Sequence, residues 1–148
     1  MSGTGKSTAL AELARRGFRT VDTDEPGWSR WSERDGGYVW NEGRIRDLLD
    51  AQDDRSLYVS GTVSNQRRFY PQFDAIVLLS APAGVLLQRI AGRTDNPYGQ
   101  TPEERGLILQ QVTEVEPLLR MTCTHEVDAT QPIRDVVDEL VDIGEQTM

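Results

Sequence analysis

The sequence predicts an α/β fold, three layers deep around a parallel sheet, and three observations predict it. Short apolar runs alternate with longer stretches whose apolar residues recur at helical spacing. Residues 75–79 are apolar without interruption, the signature of a strand buried on both faces. The chain also opens on Met1-Ser-Gly-Thr-Gly-Lys-Ser-Thr8, a glycine-rich turn that passes at once into a helical pattern.

That opening run has the chemistry of a phosphate-binding loop. Its glycines let successive backbone N–H groups turn inward around phosphate oxygens, and the helix dipole adds positive potential at the same spot. Lys6 is spaced to reach the β- and γ-phosphates of a nucleotide, and the Ser7 hydroxyl to sit on Mg²⁺. The full pattern, G-x-x-x-x-G-K-[ST], places its first glycine just before Met1. Composition supports the shorter match: of 16 Lys+Arg, 15 are arginine, and the single lysine is Lys6. A wide planar guanidinium does not replace a compact ammonium on a thin stem in such a loop. A phosphate loop is also the turn that leaves a strand, and none precedes this one. The natural reading frame is therefore expected to start upstream, with a first strand of about six to ten more residues. An in-frame apolar run ending in glycine before Met1 checks this; stop codons or a polar stretch there would refute it.

The bulk numbers narrow the classes. At 148 residues the chain is expected to form one domain, residues 1–148, large enough for a core. No apolar run approaches a membrane span, so no membrane partner is expected. A net charge of -8 argues against nucleic acid, whose phosphates most of the surface would repel. One cysteine, Cys123, excludes an internal disulfide, and one histidine, His125, argues against a dedicated zinc site. Both fit a reducing cytoplasm.

The elements follow in order. Ala9, Leu10, Leu13 and Ala14 carry the first helix, closed by Gly17. Residues 18–21 form a strand ending in Asp22-Thr-Asp24-Glu25, with Pro26-Gly27 as the breaker. Residues 27–40 hold all three tryptophans and Tyr38 and read as irregular, with a short helix at most. Asn41 caps a helix with Ile45, Leu48 and Leu49 inward, ended by Asp53-Asp54-Arg55. Residues 57–60 are a strand, followed by a polar loop to Pro71. After the 75–79 strand, Pro82 starts a helix with Val85, Leu86, Leu87 and Ile90 inward. Residues 93–100 are a turn-rich excursion. Thr101-Pro-Glu-Glu104 is a capping box whose helix is expected to run to about Arg120. Residues 124–127 form the last strand. Thr130 and Pro132 open a final helix with Ile133, Val136, Val137, Leu140 and Val141 inward, stopped near Gly144.

Taken together, these landmarks resemble the small P-loop kinases of the shikimate kinase and nucleoside-monophosphate kinase group, within the P-loop NTPase superfamily. The resemblance covers nearly the whole chain. It rests on the Ser-Gly-Thr-Gly-Lys-Ser-Thr loop, Asp22-Thr-Asp24, Arg93-Thr94 before the lid-like excursion, and Asp128-Ala-Thr-Gln-Pro132 before the last helix. It implies a parallel sheet of order 2-3-1-4-5, with the first strand missing or truncated here. It also implies ATP and Mg²⁺ as cofactors. Ser2, Gly3, Thr4, Gly5, Lys6, Ser7 and Thr8 would cradle the triphosphate; Ser7 and Asp22 would hold the metal. Asp24 would accept the proton of the acceptor hydroxyl, Arg93 would lie over the adenine or the transferring phosphoryl, and Pro132 would pack on the adenine's other face. Lys6, Asp24 and Arg93 are thus the catalytic candidates, with Arg105 a further one at the base of the lid. The shikimate kinases' Gly-Gly-Gly after the third strand is replaced by Ser60-Gly61-Thr62, and their arginine-proline lid by Asn96-Pro97-Tyr98-Gly99.

The residues by themselves allow more than one reading. Asp22 and Asp24 sit two apart at a strand end, so both can serve one edge of the sheet, although aspartates beside Pro-Gly also form turns. The tryptophan segment is either an acceptor pocket or packing for an unsupported loop. Arg67 and Arg68 either bind an anionic acceptor or face solvent. The expected activity is transfer of the γ-phosphoryl of ATP to a small hydroxyl- or phosphate-bearing metabolite. The alternative is a nucleotide-dependent switch without transfer.

Overall fold

A computed structural model describes residues 5–51, 53, 55–92 and 101–146, without the side chain of Gln111. The chain divides into two compact units: Ser7–Asp74, and Ala75–Met148 together with the residues up to Lys6. No helix among the described residues is long and apolar enough to cross a membrane.

The first unit carries most of α1 (Lys6–Arg15), β1 (Arg19–Asp22), β2 (Ser29–Ser32), β3 (Gly37–Trp40), α2 (Glu42–Asp50), β4 (Leu57–Ser60) and a 3₁₀ helix, Gln66–Gln72. β1 and β4 pair in parallel, with Asp22 opposite Ser60 at their carboxyl ends. Ala9, Leu10 and Leu13 are the buried face of α1, as the spacing predicts. Asn41 caps α2, its side chain accepting from Arg44 N at 3.3 Å. The core gathers Trp40, Ile45 and Phe69, with Trp28, Leu49, Val59, Val63 and Phe73 packed around them.

Residues 27–40 are not irregular. β2 and β3 form an antiparallel hairpin with Trp31 directly opposite Tyr38, the rings edge-to-face at 5.4 Å. Its turn is held by Gly36 at φ +69°, by Gly36 N on Ser32 O and by the Ser32 hydroxyl on Asp35. Asp35-Gly36 between aromatic-bearing runs is the local signal for this turn. The polar loop before Pro71 is likewise ordered, as the 3₁₀ helix. Its buried Gln66 accepts from Val63 N and donates to the Tyr70 hydroxyl.

The second unit carries β5 (Val77–Ser80), α3 (Ala83–Ala91), α4 (Pro102–Glu114), α5 (Glu116–Thr122), β6 (His125–Asp128) and α6 (Ile133–Gln146). β5 and β6 are parallel, with Ser80 opposite Asp128 at their carboxyl ends. Ala81, Leu86 and Ala129 centre its core, flanked by Leu79, Val85, Val112 and Leu119. The β1–β4 and β5–β6 pairs are both parallel, one in each unit, and the fold is α/β with parallel sheets.

Four local expectations differ. The 75–79 strand starts at Val77, and only its Leu78 is buried, so the continuous apolar run is not fully covered within its unit. The capping box forms, with Glu104 N on the Thr101 hydroxyl at 3.2 Å, yet its helix stops at Glu114. Pro117 explains the break: it has no N–H, and its ring excludes a helical carbonyl four residues earlier, so α5 starts anew around it. Ile133, expected inward, is exposed, and α6 continues past Gly144 to Gln146.

An ion-pair network fastens α5 to β6. Arg120 donates to Glu116 at 2.6 Å and to Glu126 at 2.8 and 3.1 Å, and the Ser80 hydroxyl donates to Glu126 at 2.7 Å. Arg120 first, then Ser80, holds the Glu126 carboxyl down to about 2 from its ordinary 4.5. A depressed carboxylate stabilises the fold above its unfolded value, and the contribution fades as pH falls toward the folded one. Glu126→Gln is therefore expected to flatten the decline of Tm between about pH 4.5 and about pH 2. An unchanged acid limb in thermal melts would show that this pair does not stabilise the fold.

Candidate nucleotide site

The loop leads into α1 through Gly5, whose φ of +86° is in the left-handed region that favours glycine. The Cδ1 of Ile133 lies 3.8 Å from where a Cβ on Gly5 would stand, so the start of α6 borders the loop. The first turn of α1 contains no acidic residue of its own. Lys6 is half-buried at the first position, and its ammonium makes no hydrogen bond or ion pair among the described residues. Ser2, Gly3 and Thr4 lie outside the described residues, as do Arg93 and the whole 93–100 excursion.

The next turn of the site is built on the end of β1. The Ser7 hydroxyl donates to Asp22 Oδ2 at 3.0 Å, joining the helix start to the strand end. Asp22 Oδ1 accepts from Asp24 N at 3.0 Å, and its carbonyl accepts from Glu25 N, so the chain folds tightly past the strand. The exposed Asp24 carboxylate is left with no partner among the described residues. The turn-forming reading holds for Asp22, which shapes the turn, while Asp24 is exposed on it. Thr8 is exposed on the same helix start.

Between the two carboxylates lies Thr23, only 1% exposed. Its N–H and its hydroxyl both donate to Ser60 O, at 3.1 and 2.7 Å. The hydroxyl also accepts from the Trp40 indole N–H at 2.9 Å, and the Thr23 carbonyl accepts from the Ser29 hydroxyl at 2.9 Å. Asn65 in turn clasps the Trp40 backbone, accepting from its N at 2.8 Å and donating to its O at 3.1 Å. None of these contacts has a sequence signal, since the partners are 6 to 37 residues apart. Gly61 is part of the same packing: a Cβ there would overlap the Thr23 hydroxyl and stand 3.1 Å from the Trp40 indole nitrogen. Gly61→Ala is expected to destabilise the protein by about 1–3 kcal/mol, read as a lower Tm. An unchanged Tm would mean that this region relaxes freely.

In the other unit, Asp128 closes the turn before α6. Its Oδ1 accepts from Thr130 N at 2.8 Å and from the Thr130 hydroxyl at 2.6 Å, while Arg89 donates to Ala129 O at 2.5 Å. The Thr130 hydroxyl, then its N–H, and more distantly Arg89 hold the Asp128 carboxyl below its usual range. Pro132 follows, exposed, immediately before the first residue of α6.

The remaining candidates separate. Trp40 is core, while Trp31 and Tyr38 are exposed on the hairpin. Arg44 stacks 4.0 Å over Trp28. Arg68 pairs with Glu42 at 3.0 Å, and Arg67 is exposed beside it. Arg105 sits in the first turn of α4, its N on Thr101 O. His125 is half-buried in β6 against the Thr124 hydroxyl at 2.8 Å. The Cys123 thiol points at Arg120 O.

A glycine-led helix start beside a strand-end carboxylate, on a fold of parallel pairs, is the arrangement of a P-loop NTPase. Residues 1–110 match the family model described as an AAA domain, and the chain belongs to that P-loop family. It is also similar to shikimate kinase 2 of Yersinia enterocolitica serotype O:8, at 29% identity over 161 aligned residues, covering 95% of this chain and 90% of that protein.

Proposed function

We propose that this protein is an ATP-dependent phosphotransferase, a single nucleotide-binding domain that moves the γ-phosphoryl of ATP to a small hydroxyl- or phosphate-bearing metabolite. The observation that carries this reading is the 3.0 Å bond between Ser7 and Asp22, with the uncommitted Asp24 carboxylate two residues on. The donors fit the cofactors: Ser7 and Asp22 offer hard oxygens suited to Mg²⁺, and Gly5 with the amides of α1 suits a triphosphate. Bound Mg·ATP supplies the phosphoryl group and the metal's charge neutralisation. The residues supply the rest. Residues 2–8 grip the phosphates; Lys6 neutralises charge on the β- and γ-oxygens; Asp24 orients the acceptor hydroxyl and takes its proton. Arg93 covers the nucleotide or the group in flight, and Pro132 packs on the base. So few covalent tasks fall to the protein that positioning and charge suffice.

The kinship with shikimate kinase 2 supports transfer to a small metabolite and makes shikimate the first acceptor to try. Ser60-Gly61-Thr62 in place of three glycines argues for a different acceptor. The deciding experiment mixes the protein with ATP, Mg²⁺ and a metabolite library and follows ADP. ADP that appears only with an added acceptor supports the kinase. Nucleotide binding without acceptor-dependent ADP across the library supports the switch instead.

A further inference from the structure

We infer that the β2–β3 hairpin sets the position of the metal-side carboxylate, through Thr23 clamped by Trp40 and Ser29. This rests on the assignment of Asp22 to Mg²⁺ given above. Each strand of the hairpin contributes one grip on Thr23: Trp40 from β3 donates to its hydroxyl, and Ser29 from β2 donates to its carbonyl. The end of β4 contributes the other two bonds, both on Ser60 O. Every polar atom of Thr23 is thereby engaged, in a residue only 1% exposed. Its two neighbours are the half-buried Asp22 and the exposed Asp24.

The consequence is mechanical. A carboxylate at the end of a strand has backbone freedom that a metal ligand cannot tolerate, and second-layer hydrogen bonds remove it. Among the described residues the Asp22 side chain bonds to Ser7 and to the turn that it caps, and its backbone, the last of β1 to pair with β4, is held further from Thr23, the next residue along. Trp40 is in turn immobilised by Asn65 on its backbone and by Phe69 and Phe73 around its ring. The hairpin thus transmits the rigidity of its core to Asp22 through the Trp40 indole N–H and the Ser29 hydroxyl, both on Thr23. Trp40 and Thr23 are positioning residues that touch neither nucleotide nor metal.

The test measures binding of the β,γ-imido analogue of ATP to the full chain by titration calorimetry, once in EDTA and once in Mg²⁺. Trp40→Phe keeps an aromatic ring among Phe69 and Phe73 and deletes the donor together with the second ring of the indole, so its Tm is measured beside its affinities. Thr23→Val deletes the hydroxyl. In both, the tightening of nucleotide binding by Mg²⁺ is expected to fall about tenfold, with affinity in EDTA unchanged. Thr23→Ser, which restores the hydroxyl, should recover most of the Mg²⁺ effect. A purely structural role would lower Tm or both affinities together and would not single out the metal. If Thr23→Val does not fold, Trp40→Phe decides alone. Should Mg²⁺ tighten wild-type binding and Asp22→Asn abolish that effect, while Trp40→Phe and Thr23→Val retain it, the hairpin's role is overturned and the site assignment stands. Should Mg²⁺ have no effect on the wild type, the assignment fails and takes this inference with it.

Discussion

Replacing Lys6 with alanine is expected to abolish ATP turnover, a loss on the order of 10³-fold or more, while the fold survives. The two halves of that statement have separate reasons. Phosphoryl transfer gathers negative charge on oxygens that water is no longer free to solvate, and a fixed ammonium in a dry site is worth far more than one in solution. No second lysine exists in the chain to substitute for it, and an arginine placed elsewhere has the wrong shape. The fold survives because the Lys6 side chain is half-exposed and has no hydrogen-bond or ion-pair partner among the described residues. Alanine is also the better helix former at an α1 position. Turnover assays beside a thermal melt separate the two. Near-normal turnover in a well-folded Lys6→Ala protein would falsify the phosphate-loop assignment.

Asp24→Asn is expected to bind ATP normally and to lose about 10²-fold or more in transfer rate. The amide matches the carboxylate in size but cannot take a proton, so it removes base chemistry and leaves shape. Local structure gives little reason for collateral damage. Asp24 uses its backbone N–H, not its side chain, to close the turn on Asp22. The measurement is a pair: nucleotide affinity by titration, and kcat with whichever acceptor the screen finds. A full rate in the asparagine variant would remove Asp24 from the chemistry. Weakened ATP binding with an unchanged rate would assign it to the nucleotide instead.

The site and the fold were legible to different degrees for a physical reason. Elements governed by neighbouring residues can be read directly. Asn41 before an amphipathic run, the Thr101–Glu104 box and the Leu57–Ser60 strand are local, and each forms as its signals imply. The hairpin also had a local signal, Asp35-Gly36, which a segment rich in tryptophan and polar residues obscures. The break at Pro117 lies in the same class, because helical periodicity continues across a residue that cannot sit in mid-helix. Of the candidate site, the resemblance to the small P-loop kinases implies that Ser7 and Asp22 hold one metal; in the structure their side chains are hydrogen-bonded at 3.0 Å.

By itself, then, the sequence determined the glycine-rich run that passes into α1, the alternation that makes an α/β fold, and the residue types present at the proposed site. These depend on neighbours within a turn or two, where covalent geometry limits the choices. Only the tertiary structure decided that Thr23 is buried beneath Trp40, that Gly61 must lack a side chain, and that a hairpin grips the segment between the two aspartates. Such contacts join residues tens of positions apart, and their energies depend on burial and on exact donor geometry. Neither exists until the chain has folded.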